Sequence, residues 1–307
     1  MKIIRLNNDR IKEFFEFCKI HRKDVDDSFL YDEDLETFKP DDNNPTYIAI
    51  DEKDEIVASA SLILNDYNRR AKKGRFRIFY SEVDSADVYD MLLKKILSHT
   101  QGMEMIYVFV PTVNDKHIEH IKNLKFNIYR YSLLLVREVS EWLTYDLPQE
   151  YSIKPFKKGD EEIWCNIRNL SFQHLLGSET PITPDNVSDM MNNSEENIEG
   201  GSLILYHGDK PVGIVRGTKN ELDDNPIMDI GPLAIIPEYQ SRGLGRSMLR
   251  AAINFAKSKN YDKVDLCVNS ENANAKKLYI QEGFKQFEEV VCYKFDLYRW
   301  QLKMLEH

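Results

Sequence analysis

The sequence predicts an α/β chain of the α+β, mixed-sheet kind: two tandem domains, each a central mixed β-sheet flanked by helices. Three observations predict it. The strand and helix patterns of the first half recur in the same order in the second. In the second half an apolar run ends at Pro237, a short polar turn with two glycines follows, and a helical pattern begins. The chain has 307 residues, 42% of them hydrophobic, enough for two cores of ordinary size.

The first copy opens with an alternating strand over residues 2–5, and Ile11, Phe14, Phe15 and Cys18 then recur at helical spacing. Residues 24–44 are acidic and irregular. The strands 46–50 and 56–64 face each other across Asp51-Glu52-Lys53-Asp54, a hairpin signal. The basic run Arg69 to Arg75 reads as a solvated turn, with anion contact as the alternative. A strand over 75–80, an amphipathic helix over 86–97, a strand over 105–110, a helix over 115–124 and a long strand over 126–136 complete the copy. Pro148 and polar neighbours near 138–149 interrupt the pattern, so the expected domains are 1–140 and 150–304.

The second copy repeats the order. A strand over 151–156 precedes helices over 160–172 and 183–191, the latter entered at Thr183-Pro184. Strands 202–206 and 211–218 form a hairpin across His207-Gly208-Asp209-Lys210. A strand over 227–236, a helix over 244–257, a strand over 263–268, a helix over 273–282 and a strand over 284–297 follow. The final Leu305-Glu306-His307 reads as an expression-tag remnant.

The glycine-bearing turn is Gln240-Ser241-Arg242-Gly243-Leu244-Gly245. Two glycines between a strand and a helix let the backbone turn sharply and approach a ligand closely. The helix start carries unpaired N–H groups and partial positive charge, which suits a phosphate or pyrophosphate. No Gly-x-Gly-x-x-Gly and no Gly-Lys-Ser/Thr is present, so neither nucleotide-binding signature fits. The turn, with Leu233-Ala234-Ile235-Ile236-Pro237 before it, resembles the acyl-CoA loop of the GCN5-related N-acetyltransferase (GNAT) superfamily. Asn272 to Phe284 is similar to a second pattern of that family, Asn-x-x-Ala-x-x-Leu-Tyr-x-x-x-Gly-Phe. The two motifs cover the second half. In the first copy the corresponding turn, Ser81-Glu82-Val83-Asp84-Ser85, has two carboxylates and no glycine, and Ile121 and Lys125 stand at the Tyr and Gly positions. The resemblance therefore implies two GNAT folds, a degenerate first copy retained for its shape, and an active second copy that uses acetyl-CoA as cosubstrate.

Acyl transfer to an amine needs a placed thioester, a base for the amine and an acid for the leaving thiolate. By resemblance, Tyr279 is the acid; the alternative is aromatic packing beside Leu278. Asp229 stands where one branch of the family carries its base. An acid between Met228 and Ile230 is costly unless paired or functional, and a structural hydrogen-bond acceptor is the other reading. Another branch places a Glu on the next strand; here that site reads Leu266-Cys267-Val268, with Cys267 expected as a small buried residue. The resemblance also implies pantetheine contacts from the Leu233, Ala234 and Ile235 backbones and from Asn272. It places pyrophosphate at Gln240, Ser241, Arg242, Gly243, Leu244, Gly245, Arg246 and Ser247, and gives Lys277 a phosphate contact. Gln173 to Met191 reads as a lid over the acceptor, with His174 as a surface residue.

The net charge of −10 and pI of about 5.3 read first as solubility alone; they also argue against a generic nucleic-acid surface and mildly favour cationic substrates such as amines. No apolar run approaches the roughly 20 residues of a membrane span, and Met1 to Arg5 is too short for a signal peptide. Cys18, Cys165, Cys267 and Cys292 are scattered, so no zinc site or disulfide frame is expected and the chain reads as cytoplasmic. The expected function is transfer of acetyl from acetyl-CoA to a primary amine of a small molecule or peptide, without metal. The alternative is a non-catalytic acyl-CoA-binding sensor or scaffold.

Overall fold

The structure is a computed structural model that describes residues 1–298 apart from Ser194, Asp223 and Asp224; of Glu33 it describes the backbone. The expected tag, Leu305 to His307, lies outside the described residues. The elements run β1 (Lys2–Arg5), α1 (Ile11–Ile20), α2 (Asp32–Glu36), β2 (Thr46–Ile50), β3 (Ile56–Ile63), α3 (Asp66–Ala71), β4 (Lys73–Ser81), α4 (Ala86–Leu97), β5 (Met105–Pro111), α5 (Asp115–Asn123) and β6 (Asn127–Glu138). They continue with β7 (Tyr151–Pro155), α6 (Glu161–Phe172), α7 (Pro184–Asn192), β8 (Asn197–His207), β9 (Lys210–Leu222), β10 (Asn225–Ile235), α8 (Leu244–Ser258), β11 (Lys263–Asn269), α9 (Ala273–Gln281) and β12 (Lys285–Asp296).

Two stretches depart from the expected elements. The acidic segment contains the one-turn helix α2, whose Leu35 is buried against Phe14 and Phe38 in a small core. The basic run does not form a turn throughout. Arg69 and Arg70 end α3, where Asn65 accepts from the Asn68 N–H at 3.1 Å as N-cap and Lys72 adopts φ 52° as the left-handed stop.

Two compact units emerge, and neither is a half of the sequence. One comprises Met1–Ser132 together with the chain from Glu289 onward; the other is Leu133–Glu288. In the first, strands are ordered β1-β2-β3-β4-β5-β12; in the second, β6-β11-β10-β9-β8-β7. Thus β12 completes the first unit's sheet, antiparallel to β5 from Val290↔Pro111 to Asp296↔Met105. The end of β6 completes the second. The cores follow suit: Val291, Tyr293 and Phe295 bury with Val108 and Phe126, whereas Leu133 and Leu135 bury with Trp164 and Leu249. The expected boundaries, 1–140 and 150–304, divide by sequence pattern; packing divides at 132/133 and 288/289.

In the second unit the stretch after β6 straps α8. Ser247, Arg250, Asn254 and Lys257, three or four residues apart on one helix face, donate to the carbonyls of Asp146, Thr144, Leu143 and Ser140 at 3.2, 2.8, 2.8 and 2.9 Å. The helix that begins at the glycine turn is thereby fixed along its length.

Candidate active site

β10 pairs antiparallel with β9 and parallel with β11, the latter in the register Met228↔Val264, Asp229↔Asp265. Beyond Asp229 the β9 ladder shifts between Ile230 and Leu233, where Pro232 supplies no N–H. Leu233, Ala234 and Ile235 resume pairing with Val215, Ile214 and Gly213 on the β9 side. Their other edge is where the resemblance places pantetheine.

A 3-10 turn, Pro237–Tyr239, leads into the glycine loop. Gln240 Nε2 donates to the Ile235 carbonyl at 2.8 Å, holding the strand end, and Arg242 donates to the Glu238 carbonyl at 2.8 Å. Ser241 has φ 60° and Gly243, the N-cap of α8, φ 80°. No described atom lies within 4 Å of a Cβ built on Gly243, and the nearest to one on Gly245 is Leu278 Cδ2 at 3.9 Å. The space that side chains would fill is open in front of the first turn of α8, whose N–H groups face it. The residues present therefore fit a pyrophosphate. The Arg242 guanidinium and Lys210 Nζ lie 4.8 and 5.0 Å from the Tyr239 ring centre, adding positive charge beside the turn. Arg246 and Ser247 point elsewhere: Arg246 to Gln281 Oε1 (2.6 Å) and Glu282 Oε1 (3.0 Å), Ser247 to the Asp146 carbonyl. Asn272 caps α9, accepting from the Ala275 N–H at 3.2 Å, and Lys277 is exposed.

α9 carries Tyr279, 9% exposed, its ring centre 5.9 Å from that of Phe284. Burial, with the Asp229 charge adding to it, pushes the phenol up to about 12. Asp229, half-buried, lies on the same face as Thr218, its register partner, and as Arg216 and Asn220 two residues to either side. Burial raises the Asp229 carboxyl well above its ordinary value; the charges of Asp265 and Glu196 add to this, and Arg216 opposes it. Asp265 is 2% exposed, and burial holds its carboxyl at about 6 against the donation from Asn220 Nδ2 at 3.0 Å. Arg216 donates to Asn197 Oδ1 (2.9 Å) and the Met190 carbonyl (3.2 Å), with Glu196 at 3.5 Å.

Asp265 went unmarked in the sequence reading, although it meets the criterion applied to Asp229: a carboxylate between Val264 and Leu266 in an apolar strand. Cys267, expected to be buried, is exposed. It follows Asp265 by two and shares its face, past the last paired residue of the parallel ladder. The expected lid between α6 and α7 is strapped down: Asn169 bonds the Ile182 N–H and carbonyl at 2.9 Å each, Arg168 donates to the Thr180 carbonyl and Asn269 to the Leu176 carbonyl. His174 is exposed.

In the first unit the corresponding groups are occupied. Glu82 bonds His21 Nε2 at 2.9 Å, and Asp84 bonds Lys116 and His120 at 3.0 and 2.8 Å. The parallel register of β4 and β5 runs to Arg75↔Tyr107, where the second unit has Asp229↔Asp265. The Arg75 guanidinium sits 4.5 and 4.8 Å from the ring centres of Phe29 and Phe109 and pairs with Asp26 at 2.5 Å. Asp34 favours the Arg77 charge against its burial. Among the described residues no cluster of three His, Cys, Asp or Glu could hold a metal ion, and no helix is long and apolar enough to cross a membrane.

Residues 145–284 match the model of the family described as Acetyltransferase (GNAT) family. Curated relatives include a mycothiol acetyltransferase of Kytococcus sedentarius, 24% identical over 161 residues, covering 52% of this chain and 53% of that protein. Another, of Tsukamurella paurometabola, is 36% identical over 93 residues, covering 30% and 29%. The chain spans about half the length of the first of these. Solved structures similar in fold include a GCN5-related N-acetyltransferase from Sphaerobacter thermophilus, with TM-score 0.72, 13% identity and coverage of 96% and 95%. A tandem GNAT protein from the clavulanic acid biosynthesis pathway gives 0.70, 10%, 96% and 98%. The likeness to both extends over two GNAT-fold units.

Proposed function

We propose that this chain, which belongs to the acetyltransferase (GNAT) superfamily through residues 145–284, transfers an acetyl group from acetyl-CoA directly to a primary amine in its second unit. The observation that carries the reading is the open glycine turn at the head of α8, with Asp229 where the β10–β11 ladder ends and Tyr279 close enough for the Asp229 charge to raise its phenol. Relatives named mycothiol acetyltransferase support a small-molecule acceptor over a peptide.

In this reading Gly243, Gly245 and the first N–H groups of α8 bind the pyrophosphate, with Arg242 beside them. The Leu233–Ile235 edge and the Asn272 carboxamide hold the pantetheine arm, so the thioester lies between β10 and α9. Asp229 takes the proton of the attacking nitrogen. Its raised carboxyl is a stronger base than a solvated carboxylate, and a bridging water extends its short side chain. Tyr279 gives its proton to the departing sulfur; a phenol near 12 keeps that proton until a thiolate develops. The first unit, with Arg75 at the base position and its turn carboxylates paired, serves as structure and not as a second catalyst. The test is a panel of primary amines with acetyl-CoA, following free CoA with a thiol reagent. CoA release that depends on amine and fails in Tyr279→Phe and Asp229→Asn supports the reading. Tight CoA binding with no turnover on any amine replaces it with a sensor or scaffold role.

A further inference from the structure

Asp265 is buried to 2% exposure and uses only one of its oxygens. Oδ2 accepts from Asn220 Nδ2 at 3.0 Å, while Oδ1 has no hydrogen-bond partner among the described residues. A buried carboxylate oxygen left unpartnered is expensive, and such atoms call for a specific explanation. The register supplies one. Asp229 and Asp265 are Cα partners on neighbouring parallel strands, which lie about 4.8 Å apart, with side chains on one face. Two carboxyl groups so placed are not both ionised without cost, and one proton held between them satisfies Oδ1 and removes the repulsion. Among the described residues the charges facing the pair are Arg216 from β9 and Glu196, with Tyr279 from α9; Asn220 and Thr218 are neutral. One cation therefore answers three carboxylates, and that cation is already bonded to Asn197 and the Met190 carbonyl.

We propose that Asp265 is a positioning residue that holds one proton jointly with Asp229, and that the pair selects an acceptor arriving as an ammonium ion. This deepens the acetyltransferase reading and rests on it. At rest the pair carries one proton and one negative charge. Entry of R–NH3+ brings the positive charge the site lacks and releases the shared proton to solvent. Asp229 then takes one proton from the nitrogen, restoring the pair. The nitrogen lone pair forms the C–N bond at the acyl carbon, and the C–S bond breaks. The thiolate takes the Tyr279 proton, and the phenolate recovers one from the nitrogen. Ammonium and thioester thus become amide, thiol and one released proton, and the enzyme ends as it began.

The test is carboxyl-carbon NMR on the full chain labelled at the aspartate side chains, titrated without substrate, in wild type, Asp229→Asn and Asp265→Asn. The expected result is one carboxyl titrating above pH 6 in wild type. That step is lost from both variants, and the remaining partner titrates at least one pH unit lower. CoA titration confirms that each variant is folded; if Asp265→Asn fails to fold, the Asp229→Asn arm decides. No carboxyl step above pH 5 in wild type, or a step unmoved by either substitution, overturns the shared proton. On whichever amine releases CoA, Asp265→Asn should raise KM at least tenfold and move the acidic limb of kcat/KM down by a pH unit or more. Its alkaline kcat should stay within tenfold. An unchanged KM overturns ammonium selection. If no amine releases CoA, the acetyltransferase reading falls and ammonium selection with it, while the NMR result still judges the pair.

Discussion

Arg250 grips Glu282 through one guanidinium edge, Nε to Oε2 at 2.6 Å and Nη2 to Oε1 at 3.0 Å, joining the helix of the glycine turn to the end of the Tyr279 helix. Arg246 reaches the same carboxylate at 3.0 Å, and the Glu282 side chain is only 4% exposed. One buried carboxylate thus ties the proposed phosphate-binding turn to the proposed acid. Glu282→Ala should destabilise the second unit by about 2 kcal/mol, below the usual figure for a broken buried pair because both arginines can reach water. Urea unfolding checks it: a lower midpoint with unchanged slope is expected, and an unchanged midpoint contradicts it.

CoA should bind once per chain. Gly243 has φ 80°, so Gly243→Ala adds strain of about 1 kcal/mol and weakens binding modestly. Gly243→Glu also places a carboxylate in the open space before α8 and should abolish binding. Calorimetry with CoA is the measurement, and two equivalent sites per chain would show that the Glu82–Asp84 turn is still functional.

Tyr279→Phe should lower turnover by roughly 10²-fold, the scale of general acid catalysis, with CoA affinity unchanged. The ring contact with Phe284 survives the substitution, so an unaltered rate on an identified amine would mark Tyr279 as packing.

Asp265 gives the stability of the second unit a pH dependence of definite sign. Its carboxyl titrates at about 6 when folded and at about 3.9 when unfolded. Because the folded value is the higher, the native state holds the proton more tightly. Below about pH 4 both states are protonated and nothing is lost. As pH rises from about 4 to 6, the stability that this proton supplies is lost, and the loss is constant above that. Asp265→Asn should therefore gain on wild type across that window and level off by pH 7. Unfolding midpoints at pH 4.5, 6 and 7.5 decide the matter; a difference flat with pH defeats it.

The order of elements was legible because amphipathic helices and alternating strands leave their periods in the sequence, and the glycine turn because glycine takes the φ of 80° at Gly243 without strain. Asp229 and Tyr279 stood out through their motifs. Strand exchange left no such trace: β6 and β12 read as long strands whichever neighbours they pair with, and pairing is settled by packing of Leu135 or Phe295. Asp265 was passed over because its meaning lies in its cross-strand partner. Cys267 was misjudged because it lies past the last pair of the parallel ladder, on the face opposite buried Val268. The α3 helix hid in a basic run because its cap, Asn65, lies before it.

A fragment of residues 146–304 lacks the Leu133–Glu138 edge of its own sheet and carries the other unit's last strand, whereas 133–288 is complete. The longer-tailed fragment should aggregate and the second remain soluble and bind CoA, as judged by gel filtration and calorimetry. Equal behaviour of the two would mean that the exchanged strands contribute little.

The same exchange sets the order in which the molecule can mature on the ribosome. Everything the second unit requires has been synthesised once Glu288 has left the exit tunnel. The unit that contains the N-terminus must wait, its β5 edge unpaired, until Glu289 to Asp296 emerges. The part made first is finished last, and the nascent chain passes through a stage in which the proposed enzyme is whole while its companion still exposes a sheet edge to whatever chaperone or neighbouring polysome is at hand.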